Sequence, residues 1–175
     1  MRGKPTDTNN GPVRLPDLGD QGQGWVWIQV LVMSAIPAVG GLAPEWPSSV
    51  RLPLTLAGSA VVALGCALLV IAILTLGGYF AFTLRPAPSS ALVTTGVYAR
   101  ARHPIYGGWI LVGLGFALAL SPWALPVAAL LALELSGKSR VEERALVAHY
   151  PEYTAYRQRV PRRFFPLRRA DSGGG

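Results

Sequence analysis

The sequence predicts an all-α integral membrane protein, and three observations support this fold class. Of the 175 residues, 51% are hydrophobic and only 14% are charged, and the mean hydropathy is +0.36. In soluble domains about a quarter of the residues are charged. Three blocks hold no charged residue at all: 25–43, 52–84 and 104–133. The basic residues stand beside these blocks, which is typical of membrane-spanning helices.

The first two blocks each predict one membrane-spanning helix. A helix over Trp25–Ala43 is long enough, at about 1.5 Å per residue, to cross a hydrocarbon core of about 30 Å. The second block is longer than one crossing needs, and we place its span over Leu54–Phe80. Its glycines, such as Gly58 and Gly65, permit close contact with another helix.

The third block predicts two short helices folded back as a hairpin. As one helix it would be roughly 45 Å long, too long for one crossing and too short for two full ones. Ser121-Pro122 and Pro126 interrupt it, and proline disfavours a helix interior. We therefore expect helices over Ile105–Leu120 and Trp123–Gly137.

Basic residues on both sides of the hairpin predict its orientation. Positive charge marks the cytoplasmic ends of spans, so both ends of the hairpin are expected there. The result is four transmembrane helices in a multi-pass protein of a bacterial plasma membrane, with both termini cytoplasmic. The residues on which this prediction depends are Arg85, Arg100 and Arg102 before the hairpin, and Lys138, Arg140 and Arg144 after it.

The remaining segments are polar or amphipathic. Residues 141–160 alternate apolar and charged side chains at helical spacing, which predicts short amphipathic cytoplasmic helices divided at Pro151. The chain thus divides into a disordered cytoplasmic tail (1–24), two transmembrane helices (25–84), a core of loop, hairpin and amphipathic helices (85–166), and a flexible basic and glycine-rich tail (167–175).

Charge and cysteine content exclude several classes of function. The net charge of +7 comes from basic residues that flank apolar blocks and fill the C-terminal region. Anionic membrane lipids explain that distribution better than nucleic acid. A single cysteine supports neither a disulfide framework nor a cysteine metal site, and we expect no metal.

Ionisable groups are concentrated at the two cytoplasmic ends of the hairpin, so its closure would bring them together. Arg102 and His103, close to Gly107, suit a carboxylate ligand. Glu142 and Glu143 suit an ammonium group or ribose hydroxyls. S-adenosylmethionine is one ligand that has a carboxylate, an ammonium group and ribose hydroxyls. These side chains alone do not distinguish it from other ligands with the same groups.

Four motifs follow one another over residues 92–166, and in this order across a hairpin they resemble the isoprenylcysteine carboxyl methyltransferase family and the related phospholipid methyltransferases. The motifs are Thr95-Gly96-Val97-Tyr98, Arg102-His103-Pro104-Ile105-Tyr106-Gly107-Gly108, Glu142-Glu143-Arg144-Ala145-Leu146, and Tyr153-Thr154-Ala155-Tyr156 continuing to Val160-Pro161-Arg162.

The resemblance implies a membrane methyltransferase that uses S-adenosyl-L-methionine and acts on a lipophilic or small acceptor. Three groups of site residues go with it. Cofactor contacts are expected from Tyr98, His103, Pro104, Tyr106, Gly107, Gly108, Glu142 and Glu143. Catalytic roles are expected for Arg102, Glu142 and Glu143. Acceptor contacts are expected from Glu134, Tyr153, Tyr156 and Arg159.

Two other functions fit the same sequence. One is an NADPH-dependent membrane reductase, because sterol reductases have a similar C-terminal architecture. The other is a non-catalytic membrane accessory protein. The residues leave the methyl acceptor open: a carboxylate would need no general base, whereas a hydroxyl or protonated amine would.

Overall fold

The computed structural model describes residues 23–77 and 92–167, and within them the chain forms helices and no β-strand. The all-α prediction is therefore confirmed. The predictions for residues 1–22, 78–91 and 168–175 lie outside the described residues. The helices are α1 (Gln23–Leu42), α2 (Ser48–Leu76), α3 (Pro104–Leu120), α4 (Leu125–His149) and α5 (Tyr153–Arg159), with 3-10 turns at Gly96–Ala99 and Pro122–Ala124.

Helices α1 and α2 are both long and apolar enough to cross a membrane. Helix α1 begins two residues before the predicted span and continues through Pro37. Helix α2 begins at Ser48 rather than Leu54, and Pro53 lies inside it. Helix α3 is apolar but shorter.

The predicted break between α3 and α4 occurs at Ser121. The Ser121 hydroxyl donates to the Pro44 carbonyl at 2.7 Å and accepts from the Trp123 backbone N–H at 3.2 Å. Helix α4 then begins at Leu125 instead of Trp123, because residues 122–124 form the 3-10 turn. Serine thus fixes the turn to the segment that joins α1 and α2.

Helix α4 corrects one prediction. We expected a span ending at Gly137 and a separate amphipathic segment from Val141, but α4 is one helix of 25 residues. Lys138 and Ser139 are buried, so the polar stretch is packed against the protein and gives the helix no reason to end. The predicted division at Pro151 is present, since α4 ends at His149 and α5 begins at Tyr153.

Glycines allow α2 and α3 to pack in close contact. A Cβ at Gly58 would lie 2.5 Å from the Gly115 carbonyl oxygen, and one at Gly65 would lie 2.9 Å from the Gly108 carbonyl oxygen. Residues without side chains permit this approach. On the other side of α3, buried apolar side chains from α1 and α4, such as Ile36 and Leu131, form the core.

Candidate functional site

The site begins where the chain enters α3. Pro104 occupies the first turn, where a missing N–H has no cost. The backbone N–H groups of Arg102 and His103 donate to the carbonyls of Arg162 (3.1 Å) and Arg163 (2.6 Å). The segment 160–164, here named the C-terminal strap, therefore lies directly across the start of α3.

Arg102 joins three parts of the chain. Its Nε donates to Glu143 Oε1 at 2.9 Å, and its Nη1 donates to the carbonyls of Val160 (2.6 Å) and Pro161 (2.8 Å). The residue is 9% exposed. Arg102 thus holds α4 and the strap against α3, and these contacts occupy donors that we had expected to face a ligand.

His103 lies between two carboxylates. Its Nε2 donates to Glu143 Oε1 at 3.2 Å, and its Nδ1 lies 3.5 Å from Glu142 Oε2. Burial lowers the pKa of His103, but hydrogen bonds to Glu142 and Glu143 outweigh burial and raise it above its ordinary value. His103 therefore has an acidic partner beside each ring nitrogen.

The two glutamates are ionised for the same reason. Burial raises the pKa of Glu143, yet hydrogen bonds from His103 and Arg102 lower it to about 2. The pKa of Glu142 is also lowered, because hydrogen bonds from His103 and Tyr106 outweigh burial. The site therefore holds two adjacent carboxylates, of which Glu142 is partly exposed and Glu143 is buried.

Tyr106 extends the site along α3. Its hydroxyl donates to Glu142 Oε2 at 2.8 Å, and its ring stacks on His103 with centroids 5.4 Å apart. Lys138 Nζ lies 5.3 Å from the Tyr106 ring centroid and donates to Gln29 Oε1 at 2.8 Å. Sequence reasoning treated Lys138 as a marker of orientation and missed Gln29.

Glu134 stands one helical turn before Lys138 on α4. It is 9% exposed, and neither carboxylate oxygen has a hydrogen-bond partner among the described residues. A buried carboxylate in this state is unusual, since buried polar groups are normally paired. The structure thus brings Glu134 to the same helix face as Lys138 and Glu142.

The glycines of the first motif are closely covered by other parts of the protein. A Cβ at Gly107 would lie 2.3 Å from the Phe164 carbonyl oxygen, and one at Gly108 would lie 2.6 Å from Leu69 Cγ. In both cases the atoms that come close to the glycine belong to the protein itself. These glycines accommodate the strap and α2, and any ligand contact by their backbone stays a prediction.

The tyrosines predicted to bind the acceptor are buried in the C-terminal packing. Tyr153 and Tyr156 are each 2% exposed, and the Tyr156 hydroxyl donates to the Tyr98 carbonyl at 2.7 Å. Burial raises the pKa of Tyr98 well above its usual range and that of Tyr156 to about 12, so both phenols are neutral. The hydrogen bond from Tyr156 holds the 96–99 turn in place.

Arg159 was expected to contact the acceptor, but the structure does not bring it into the site. It is exposed at the end of α5, and no hydrogen bond or ion pair joins it to the site among residues 92–167. Helix geometry places this position about 90° around α5 from the face on which Tyr153 and Tyr156 are buried.

Arg163 was missed because it looked like part of a basic tail. Its buried Nε forms an ion pair with Glu143 Oε1 at 3.6 Å and has no hydrogen-bond partner within residues 23–77 and 92–167. A guanidinium beside two carboxylates fits a ligand that carries both a carboxylate and an ammonium group. The donor set around His103 is therefore compatible with the amino-acid portion of S-adenosylmethionine.

A metal centre has no obvious ligands in the described ranges. Residues 23–77 and 92–167 contain no cluster of three or more histidine, cysteine, aspartate or glutamate side chains arranged to hold an ion.

Two comparisons with known proteins point to the same family. The sequence model of the isoprenylcysteine carboxyl methyltransferase (ICMT) family matches residues 57–148. Protein-S-isoprenylcysteine O-methyltransferase of Rattus norvegicus is 34% identical to the chain over 122 residues. That alignment covers 66% of this chain and 43% of the rat protein, so the chain matches less than half the length of this relative.

Proposed function

Because the chain belongs to the isoprenylcysteine carboxyl methyltransferase family, we propose that it is an integral membrane methyltransferase that uses S-adenosylmethionine. The observation that supports this most directly is the buried cluster in which His103 lies between the carboxylates of Glu142 and Glu143. The matched region includes both halves of this cluster.

Acidic and basic side chains of the cluster are proposed to bind different groups of the cofactor. Glu142 and Glu143 accept from the ammonium group or ribose hydroxyls, while the guanidinium of Arg163, which lies beside Glu143, donates to the carboxylate. When bound, S-adenosylmethionine supplies a methyl group activated by its own sulfonium, so positioning and exclusion of water are the main contributions of the protein. Arg102 acts as a positioning residue that fixes Glu143 and the strap.

The proposed topology has four transmembrane helices, with α3 and the first half of α4 forming the hairpin. Large apolar side chains such as Leu52, Leu64 and Leu74 of α2 are exposed, as expected for helices that face lipid. Ser121 contacts Pro44 at one end of the molecule, whereas the charged cluster lies at the other. The cluster end is assigned to the cytoplasm.

The acceptor is proposed to be lipophilic and to approach from the bilayer along α4. Glu134 is the predicted acceptor contact that faces the polar groups of Lys138 and Tyr106. Should the acceptor be an amine or a hydroxyl, Glu142 is a candidate base, because its Oε2 already accepts a hydrogen bond from the Tyr106 hydroxyl at 2.8 Å.

A cofactor titration tests the proposed function against the reductase alternative. Purified full-length protein in detergent is titrated by calorimetry with S-adenosylmethionine and, separately, with NADPH. Saturable binding of S-adenosylmethionine is expected. Binding of NADPH alone would support a reductase, and binding of neither would support a non-catalytic accessory protein.

A further inference from the structure

Glu134 is a buried acceptor that no donor in the described part of the chain satisfies. Both of its carboxylate oxygens are shielded from solvent and have no hydrogen-bond partner among residues 23–77 and 92–167, and the one hydrogen bond of the neighbouring Lys138 Nζ goes to Gln29 Oε1 instead. Ionisable groups kept inside a membrane protein usually face a cavity or a ligand path. The missing donor is the feature that a ligand would supply.

The position of Glu134 connects it to the cofactor cluster. Glu134, Lys138 and Glu142 follow at four-residue intervals and so share one face of α4. Glu134 lies about 6 Å further from the charged end than Lys138, at about 1.5 Å per residue. In the proposed topology it is the member of this series nearest the bilayer, so a lipophilic molecule moving toward Glu142 passes it.

We infer that Glu134 binds the head group of the methyl acceptor, and that this head group carries an N–H or O–H donor. The inference rests on the proposed function. A carboxylate accepts only, and even a protonated carboxyl keeps one oxygen that only accepts. An acceptor head group limited to carboxylate, ester or ether oxygens leaves Glu134 unpaired, whereas an amine, ammonium or hydroxyl satisfies it.

Three farnesyl thioethers that differ only at the head test this inference: a 2-aminoethyl, a 2-hydroxyethyl and a 2-methoxyethyl compound. Their dissociation constants are measured calorimetrically with the full-length protein in detergent. Since one hydrogen bond separates the pair, the hydroxyl compound should bind more tightly than its methyl ether, by up to about tenfold. The aminoethyl compound shows whether a cationic donor is preferred.

The variant Glu134→Gln provides the site-specific readout. Glutamine keeps the size of the side chain but adds donors of its own, so the preference for hydroxyl over methoxy should collapse toward unity while affinity for S-adenosylmethionine is unchanged. Glu152→Gln, at an exposed glutamate, is the matched control and should keep the preference.

The outcomes separate this inference from the proposed function. Equal affinities of the three probes for the wild-type protein, binding of none of them, or an undiminished preference in Glu134→Gln would each overturn the acceptor assignment even when S-adenosylmethionine binds. Absence of S-adenosylmethionine binding would instead overturn the proposed function on which the inference rests.

Discussion

Arg102 shows how a residue with the appearance of a ligand contact can serve the protein's own structure. Its guanidinium donates to Glu143, Val160 and Pro161, which come from α4 and from the strap. A planar fork can satisfy several acceptors at once, and an ammonium cannot reproduce that geometry. Its contribution to the site is therefore indirect, through the position of Glu143.

Arg102→Lys should lower the stability of the protein by about 2 kcal/mol, since hydrogen bonds from a charged group to buried carbonyls are lost. The measurement is thermal unfolding in detergent. Arg100→Lys is the matched control, because Arg100 is exposed, and it should leave the melting temperature unchanged. Equal melting temperatures for both variants would contradict the role given to Arg102.

His103 predicts a pH dependence of stability. Its pKa is raised in the folded protein, so its contribution is complete below the unfolded value of about 6.5 and is lost as the pH rises through the folded value. The Glu143 carboxylate, with a pKa of about 2, stays ionised throughout that range. Melting temperatures measured from about pH 6 to 9 should fall for the wild type.

His103→Gln should flatten this part of the profile, and the exposed His149 supplies the control. His149→Gln should retain the fall with pH. An unchanged slope in His103→Gln would show that the His103 pair with Glu142 and Glu143 does not stabilise the fold.

The sequence was sufficient to predict site residues that stand in recognisable motifs. It was not sufficient for residues that reach the site only through the fold. His103, Tyr106, Glu142 and Glu143 do come together, as closure of the hairpin predicts. Arg163 could not be distinguished from its basic neighbours, because its contact with Glu143 depends on where the strap lies. Helical spacing from Glu134 and Glu142 could have identified Lys138.

At the scale of elements, the close packing of α2 against α3 depends on glycine. A Cβ at Gly65 would lie 2.8 Å from the Val112 backbone nitrogen, so the two helices would have to separate. Gly65→Ala should therefore destabilise the protein by about 1–3 kcal/mol, the usual cost of overpacking, as measured by thermal unfolding.

The same substitution at Gly41 is the control for this prediction. A Cβ there meets nothing within 4 Å, and alanine favours a helix over glycine by about 1 kcal/mol at most. Gly41→Ala should leave stability equal or slightly higher. A Gly65→Ala protein as stable as the Gly41→Ala protein would show that α2 and α3 tolerate a wider spacing.

Element boundaries were predictable where proline or a change in hydropathy marked them. Pro122 and Pro151 both lie at breaks that the structure contains. The continuity of α4 past Gly137 was not predictable, because burial of Lys138 and Ser139 comes from packing between helices. Local polarity at these positions looks the same whether the segment is buried or exposed.

For the whole molecule, the proposed four-span topology places the α3 entry and the end of α4 on the same membrane face. In a Cys66→Ser background, single cysteines at Ala99 and Ala148, both exposed, should react with a membrane-impermeant maleimide from one face of sealed vesicles. A cysteine at Glu45 should react from the other face. Labelling of Ala99 and Ala148 from opposite faces would rule out the hairpin.

The central claim is that the cluster around His103, Glu142 and Glu143 binds S-adenosylmethionine, and calorimetric titration of Glu142→Gln tests it most directly. Glu142 is the more exposed of the two glutamates, with 25% of its side chain accessible, so the variant is expected to fold. Loss of a charged hydrogen bond should weaken binding about tenfold, while Glu152→Gln binds like the wild type. Equal affinity in all three proteins would contradict the account.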